Sequence, residues 1–328
     1  MTSIEVPAQG WVINHNTSIK LLGIIIGHRS HARATVRLTR HSALAYMSRP
    51  AVGAAIAATR GSVCDAASAA AHASAHSAGG ALRGLSIAYF NGAFSPPTLA
   101  HAHIAQSIVA LPAVDALWLD AEPATNHKRQ WMDETMAVRI EMCERMVADL
   151  DIWRSAGVGT LRRDMGDERG SDIELFRTLR TLVGSEGRII WALGADVVEG
   201  MQYWPEKARS FMQPGDTCDG LLVFVRSGWT EDRVRASLDA VFDASSGGAH
   251  ADFAVDVLPM PSSLAGTSSH AAREALVAVR EAPADGQRAA ALMEEANEIV
   301  LPSIAAICRE HEHVIDVYAA QVASTLRR

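Results

Sequence analysis

"FNGAFSPPTLAHAH", Phe90 to His103, runs from the end of a short apolar segment into one of helical character. Gly92 lets backbone come close to a ligand, Pro96 and Pro97 stiffen the loop, and Thr98 is a good N-cap for a helix beginning at Leu99. The unpaired amides and positive dipole end of such a helix attract phosphate. His101 falls in the first turn and His103 lies about 200° further round the helix, so only one of them readily faces a site beside the loop. Taken alone, the stretch is equally a capped helix with two surface histidines. What surrounds it has to decide.

From Leu85 onward strand-like and helix-like segments alternate. Candidate strands are Ser86 to Asn91, Val114 to Asp120, Arg188 to Leu193, Leu221 to Arg226 and Phe253 to Leu258. Candidate helices fall at Leu99 to Ala110, Glu134 to Leu150, Ser171 to Val183, Glu231 to Phe242 and Ser269 to Arg280. Strand then helix, repeated, predicts an α/β fold: a parallel sheet with helices on both faces, binding its ligands beyond the carboxyl ends of the strands. The Gly92 to His101 stretch lies at such an end.

The 328 residues, 48% hydrophobic and 20% charged, are enough for a large core. Residues 1–80 hold seven Lys or Arg against Glu5 and Asp65, so the remainder is strongly acidic within a net charge of −7. That argues against general nucleic-acid binding. Residues 51–80 are mostly Ala, Ser, Gly and His, with little to bury, and predict a poorly ordered N-terminal extension over 1–80 before a folded domain over 81–328. Six arginines and no acid over 28–60 resemble a transit peptide, whereas residues 1–19 contain Glu5 and no Lys or Arg. The expected location is the cytoplasm, with nucleus or mitochondrion the alternatives if the extension is a targeting segment. The apolar run Leu21 to Gly27 is too short to span a membrane, and Cys64, Cys143, Cys218 and Cys308 carry no C-x-x-C spacing.

Gly92, Phe94, Pro96, Thr98 and His101 together spell G-x-F-x-P-x-(H/T)-x-x-H, which resembles the first signature of the nucleotidyltransferase superfamily containing the nicotinamide and nicotinic acid mononucleotide adenylyltransferases. The threonine form looks like the eukaryotic type. Four further stretches agree in order. "ATNHKRQWM" from Ala124, with His127, Lys128 and Arg129, then "RIEMCERM" from Arg139, resemble the family's basic loop and following helix. "WALGADVVEGMQYW", Trp191 to Trp204, resembles its G-A-D segment, and "LLVFVRSGW" places Arg226 after a strand. "TSSHAAREAL" from Thr267 resembles I-S-S-T-x-(I/V)-R, retaining Ser268, Ser269 and Arg273. Departures are Ala100 for glycine, Thr267 and His270 for isoleucine and threonine, and Met165 near the position of a second ring-stacking tryptophan. "VLPSIAAICREHEHVI" looks like the family's terminal pattern. The resemblance covers about Leu85 to His313.

It implies a Rossmann-like nucleotidyltransferase fold and transfer of the adenylyl group of ATP to NMN, and to NaMN, releasing pyrophosphate. By the same resemblance, His101, Thr98 and Arg273 would be catalytic, and Gly92, Phe94, Lys128, Ser268, Ser269 and Arg226 would hold ATP phosphates. Gly194 and Asp196 would meet the ribose, and Trp204 the nicotinamide ring. Mg²⁺ would bridge phosphates, held mainly by ATP oxygens. The attacking phosphate is already ionised near neutrality, so no general base is needed, and no Ser-His-Asp or Cys-His spacing offers a protein nucleophile. No nucleic-acid or membrane partner and no protein metal site is expected. Homo-oligomerisation and the choice between NMN and NaMN stay open. Alternatives are a pantetheine-phosphate adenylyltransferase, a cytidylyltransferase, or a non-catalytic nucleotide-binding or chaperone-like relative.

Overall fold

The computed structural model describes residues 82–122, 135–159, 172–226, 228–242, 253–282 and 286–326. The extension over 1–80 and the basic group His127, Lys128 and Arg129 lie outside the described residues, as does Met165.

Six strands form one sheet: β1 (Ser86–Gly92), β2 (Ala116–Ala121), β3 (Ala156–Gly159), β4 (Arg188–Gly194), β5 (Gly220–Val225) and β6 (Ala254–Pro259). All pairings are parallel and the order is β3-β2-β1-β4-β5-β6. Alternation along each strand sends apolar side chains to both faces, as a doubly covered sheet requires. In β1, Ala88 and Phe90 join one core while Ile87 and Tyr89 join the other; in β2, Leu117 and Leu119 are divided from Ala116 and Trp118 in the same way. The first core is closed by α1 (Leu99–Val109), α2 (Met136–Asp149) and four later helices, α7 (Ser269–Glu281), α8 (Gln287–Asn297), α9 (Pro302–Glu310) and α10 (Glu312–Leu326). The second is closed by α3 (Asp172–Val183), α4 (Ala195–Met201), α5 (Pro205–Phe211) and α6 (Glu231–Phe242).

The five strands expected from the sequence are present within two residues of their expected bounds. β3 is the addition. Its sequence Ala-Gly-Val-Gly is short and glycine-rich, and its pairing with β2 explains why: a Cβ at Gly159 would fall 2.0 Å from Trp118 Nε1. The helices α4, α5, α8, α9 and α10 are further additions. Chain order reverses between β1 and β4, which sit side by side, so a crevice is expected beyond their carboxyl ends. Gly92 and Gly194 end those two strands.

Candidate active site

The turn after β1 is held from several directions. The Gly92 carbonyl accepts from the Glu122 backbone N–H at 2.9 Å, and the Ala93 carbonyl accepts from Arg139 Nη1 at 2.6 Å. The Ser95 carbonyl accepts from Arg273 Nη1 at 2.7 Å, and the Pro96 carbonyl from Ser269 Oγ at 3.0 Å. Donors from the end of β2, from α2 and from the start of α7 thus converge on one short loop. Phe94 sits inside it at φ 43°, the left-handed region that a bulky residue occupies only when its surroundings impose it. Its ring is 1% exposed and packs edge-on against Phe90 and His101, at centroid distances of 5.3 and 5.1 Å. Phe94 therefore enters the site through its backbone and through its packing on the His101 ring.

Thr98 is the N-cap of α1, and the third residue of the helix, His101, closes a capping box in place of the usual Glu or Gln. The Thr98 backbone N–H donates to His101 Nδ1 at 2.9 Å, and the Thr98 hydroxyl lies 2.9 Å from the same nitrogen. With Nδ1 accepting, the neutral ring carries its proton on Nε2. Burial, and secondarily the charge of Arg226, lower the His101 pKa to about 4, so the ring is neutral at physiological pH. The result is an oriented, uncharged imidazole in the first turn of α1, beside the turn that follows β1. Thr98 is 1% exposed and its hydroxyl faces the ring it positions. His103 turns elsewhere, with Nε2 3.4 Å from Ser107 Oγ.

Ser268 caps α7, accepting from the Ala271 N–H at 3.1 Å, while Ser269 holds the turn as described. Both hydroxyls are thus engaged in placing the start of α7 against the loop that leads into α1. Arg273, half-buried, is attached to that loop, and burial lowers its pKa. Sequence reasoning expected two helix starts around one ligand. The fold brings the two together.

On the other side of the crevice Gly194 caps α4 in extended backbone. A side chain at Gly194 would begin 2.5 Å from Asp196 Oδ1, so the Asp196 carboxylate folds back over the end of β4. Arg226, just past β5, pairs with the same Oδ1 at 3.5 Å, and both side chains are open to solvent. Arg226 thereby links the Asp196 side of the crevice to His101. Trp204 is the aromatic residue expected at the pyridine ring. It is half-buried at the start of α5, 6.0 Å from Phe211 between ring centroids, and packs on the second core. Tyr203, next to it, is 80% exposed.

No protein-family model matches the chain. A probable nicotinate-nucleotide adenylyltransferase of Agrobacterium fabrum is 26% identical over 161 residues, which are 45% of this chain and 80% of that protein. One from Rhizobium johnstonii is 29% identical over 137 residues, 39% of this chain and 63% of its own length. Among solved structures, Plasmodium falciparum nicotinic acid mononucleotide adenylyltransferase, complexed with APC or with NaAD, superposes with a TM-score of 0.52 at 15% identity. That superposition covers 70% of this chain and 97% of the other. In sequence the chain is thus similar to probable nicotinate-nucleotide adenylyltransferases, and it shares its fold with a solved nicotinic acid mononucleotide adenylyltransferase. One residue plays a part in this site that the sequence did not reveal. Arg139 begins the motif "RIEMCERM", yet it is fully buried and donates to the carbonyls of both Ala93 and Glu122, the latter at 2.9 Å. A signal existed: Val138, Arg139, Met142, Cys143 and Met146 share the apolar face of α2. An arginine on that face needs internal acceptors.

Proposed function

We propose that this adenylyltransferase joins ATP to a pyridine mononucleotide, NMN or NaMN, giving the dinucleotide and pyrophosphate by direct in-line transfer. The observation that carries the proposal is the convergence of α1 and α7 on the Gly92 to Thr98 turn, with a neutral His101 oriented by its capping box. His101 Nε2–H donates to the α-phosphate as charge grows there, the type of preorganised contact that contributes most to such reactions. Arg273 and the first amides of α7 receive the outer phosphates, and Arg226 and Lys128 add positive charge. Thr98, Ser268, Ser269 and Phe94 act mainly by holding this geometry. Gly194 and Asp196 receive ribose hydroxyls. Tyr203, exposed where Trp204 is not, is the aromatic surface offered to the pyridine.

Among the described residues no group of three His, Cys, Asp or Glu side chains is arranged to hold a metal. In this proposal magnesium would enter with ATP, ligated mainly by phosphate oxygens and water as that ion prefers. Bound in that way, it would supply positive charge to the departing pyrophosphate. The test is dinucleotide formation by the full chain with ATP and magnesium, offered NMN and NaMN in parallel with phosphopantetheine, and with CTP in place of ATP. The sequence relatives and solved structures described above are named for nicotinate substrates, which puts NaMN first. Pyrophosphate release only with phosphopantetheine or CTP, or with none of the substrates, would overturn the proposal.

A further inference from the structure

Beneath the turn that holds the phosphate site lies a polar cluster that neither the motifs nor the proposed chemistry uses. Tyr318, on α10, is fully buried, and α10 packs along α7. Its hydroxyl has the Ser95 hydroxyl as a neighbour, but neither atom completes a hydrogen bond of regular geometry. The guanidiniums of Arg273 and Arg139 and the Cys308 thiol are near enough to act on it electrostatically. Ser95 is 0% exposed, and Arg273 Nε is also buried without a partner although its Nη1 holds the Ser95 carbonyl. Burial pushes the phenol far above its ordinary range, so the group is a neutral O–H. Burying a hydroxyl that is incompletely bonded costs free energy, and a phenyl ring would fill the same space without that cost. Three such atoms are buried, one on the turn, one on α7 and one on α10, the helix packed along α7, while Arg273 grips the Ser95 carbonyl of the turn.

We propose that Tyr318 is a positioning residue for the phosphate site: its hydroxyl, against Ser95 and the Arg273 guanidinium, fixes where Arg273 stands relative to the turn carrying Thr98 and His101. Beyond filling the core, the last helix then serves the site as its floor. This inference rests on the adenylyl-transfer proposal and adds to it a residue outside every motif.

Tyr318→Phe, Ser95→Ala and the double variant, in the full chain, test it by kcat and KM for ATP together with the thermal midpoint. Each single change should lower kcat about tenfold, well short of the roughly hundredfold that a 1 Å misplacement can cost. The thermal midpoint should stay near wild type. The double variant should be no worse than the poorer single one, because the two act through one contact. A Tyr318→Phe enzyme with wild-type kcat, one whose loss follows only its lowered midpoint, or single effects that multiply would each overturn the inference. Ser95→Ala approaches the contact from the turn, so a folding defect in the Tyr318 variant leaves the question decidable. A wild-type chain that forms no dinucleotide would instead sink the function proposal; an active wild type with an unaffected Tyr318→Phe variant sinks this inference alone.

Discussion

At the Gly92 end of the crevice the carbonyls of Gly92, Ala93, Ser95 and Pro96 are each held by a donor from another segment, and Phe94, Ser95 and Thr98 are buried. At the Gly194 end, Asp196 and Arg226 pair across 3.5 Å with their side chains 57% and 40% exposed, and Tyr203 stands in solvent. The first end is built before any ligand arrives. The second is loosely tied, and an exposed pair of this kind contributes at most about 1 kcal/mol. The contrast fits a site in which transition-state charge is met by fixed groups, where preorganisation matters most, while ribose and pyridine are received by side chains free to adjust. Substitutions at the first end should thus damage turnover or stability, and those at the second should chiefly change substrate affinity, at Tyr203 that for the mononucleotide.

The largest expected effect is at His101. His101→Ala should lower kcat by at least about a hundredfold, the scale of losing one transition-state donor; unchanged turnover with weakened ATP saturation would make the imidazole a ground-state contact. Next is Arg139→Leu, which leaves the Ala93 and Glu122 carbonyls without their buried donor. Urea unfolding should reveal a loss of at least the roughly 1–3 kcal/mol that one orphaned buried group costs, and undiminished stability would mean that the turn is held by its other bonds.

A third prediction concerns pH. The His101 pKa is about 4 in the fold against 6.5 ordinarily, so between those values the unfolded chain takes up a proton that the native ring refuses. This contribution is complete above about pH 6.5 and is lost as pH falls toward 4, at up to about 1.4 kcal/mol per pH unit. His101→Gln should flatten that slope relative to wild type in unfolding measured across the window; parallel curves would contradict a buried, neutral ring. The smallest effect on the fold is expected at Tyr203. Tyr203→Ala should alter stability by no more than about 0.5 kcal/mol while raising KM for the mononucleotide and leaving KM for ATP in place. A rise in the ATP KM instead would move Tyr203 away from the pyridine.

Much of this was legible in local chemistry. The Gly-Pro-Thr-His junction is a strand-to-helix turn whichever core surrounds it, since its backbone preferences and its N-cap act over a few residues. The alternation of apolar strands with amphipathic helices likewise pointed to the parallel sheet. Strand β3 escaped because four small residues carry no periodicity, and its need for glycine comes from Trp118 on another strand. Trp204 looked like a ligand surface because an aromatic residue beyond a G-A-D turn reads the same whether it faces solvent or core. In the fold Trp204 is half-buried beside Phe211, and the neighbouring Tyr203 is exposed.

The amino-acid order by itself determined the layered α/β architecture, the two helix starts and the identity of the groups that cap them, because each depends on residues near in the chain. Tertiary structure alone decided that Arg139 is a buried clamp, that Thr98 turns its hydroxyl to His101, and that Tyr318 reaches under a turn more than two hundred residues earlier. Those are matters of desolvation and of partners distant in the chain, and the cost or gain of burying a polar group is set by what it meets after folding.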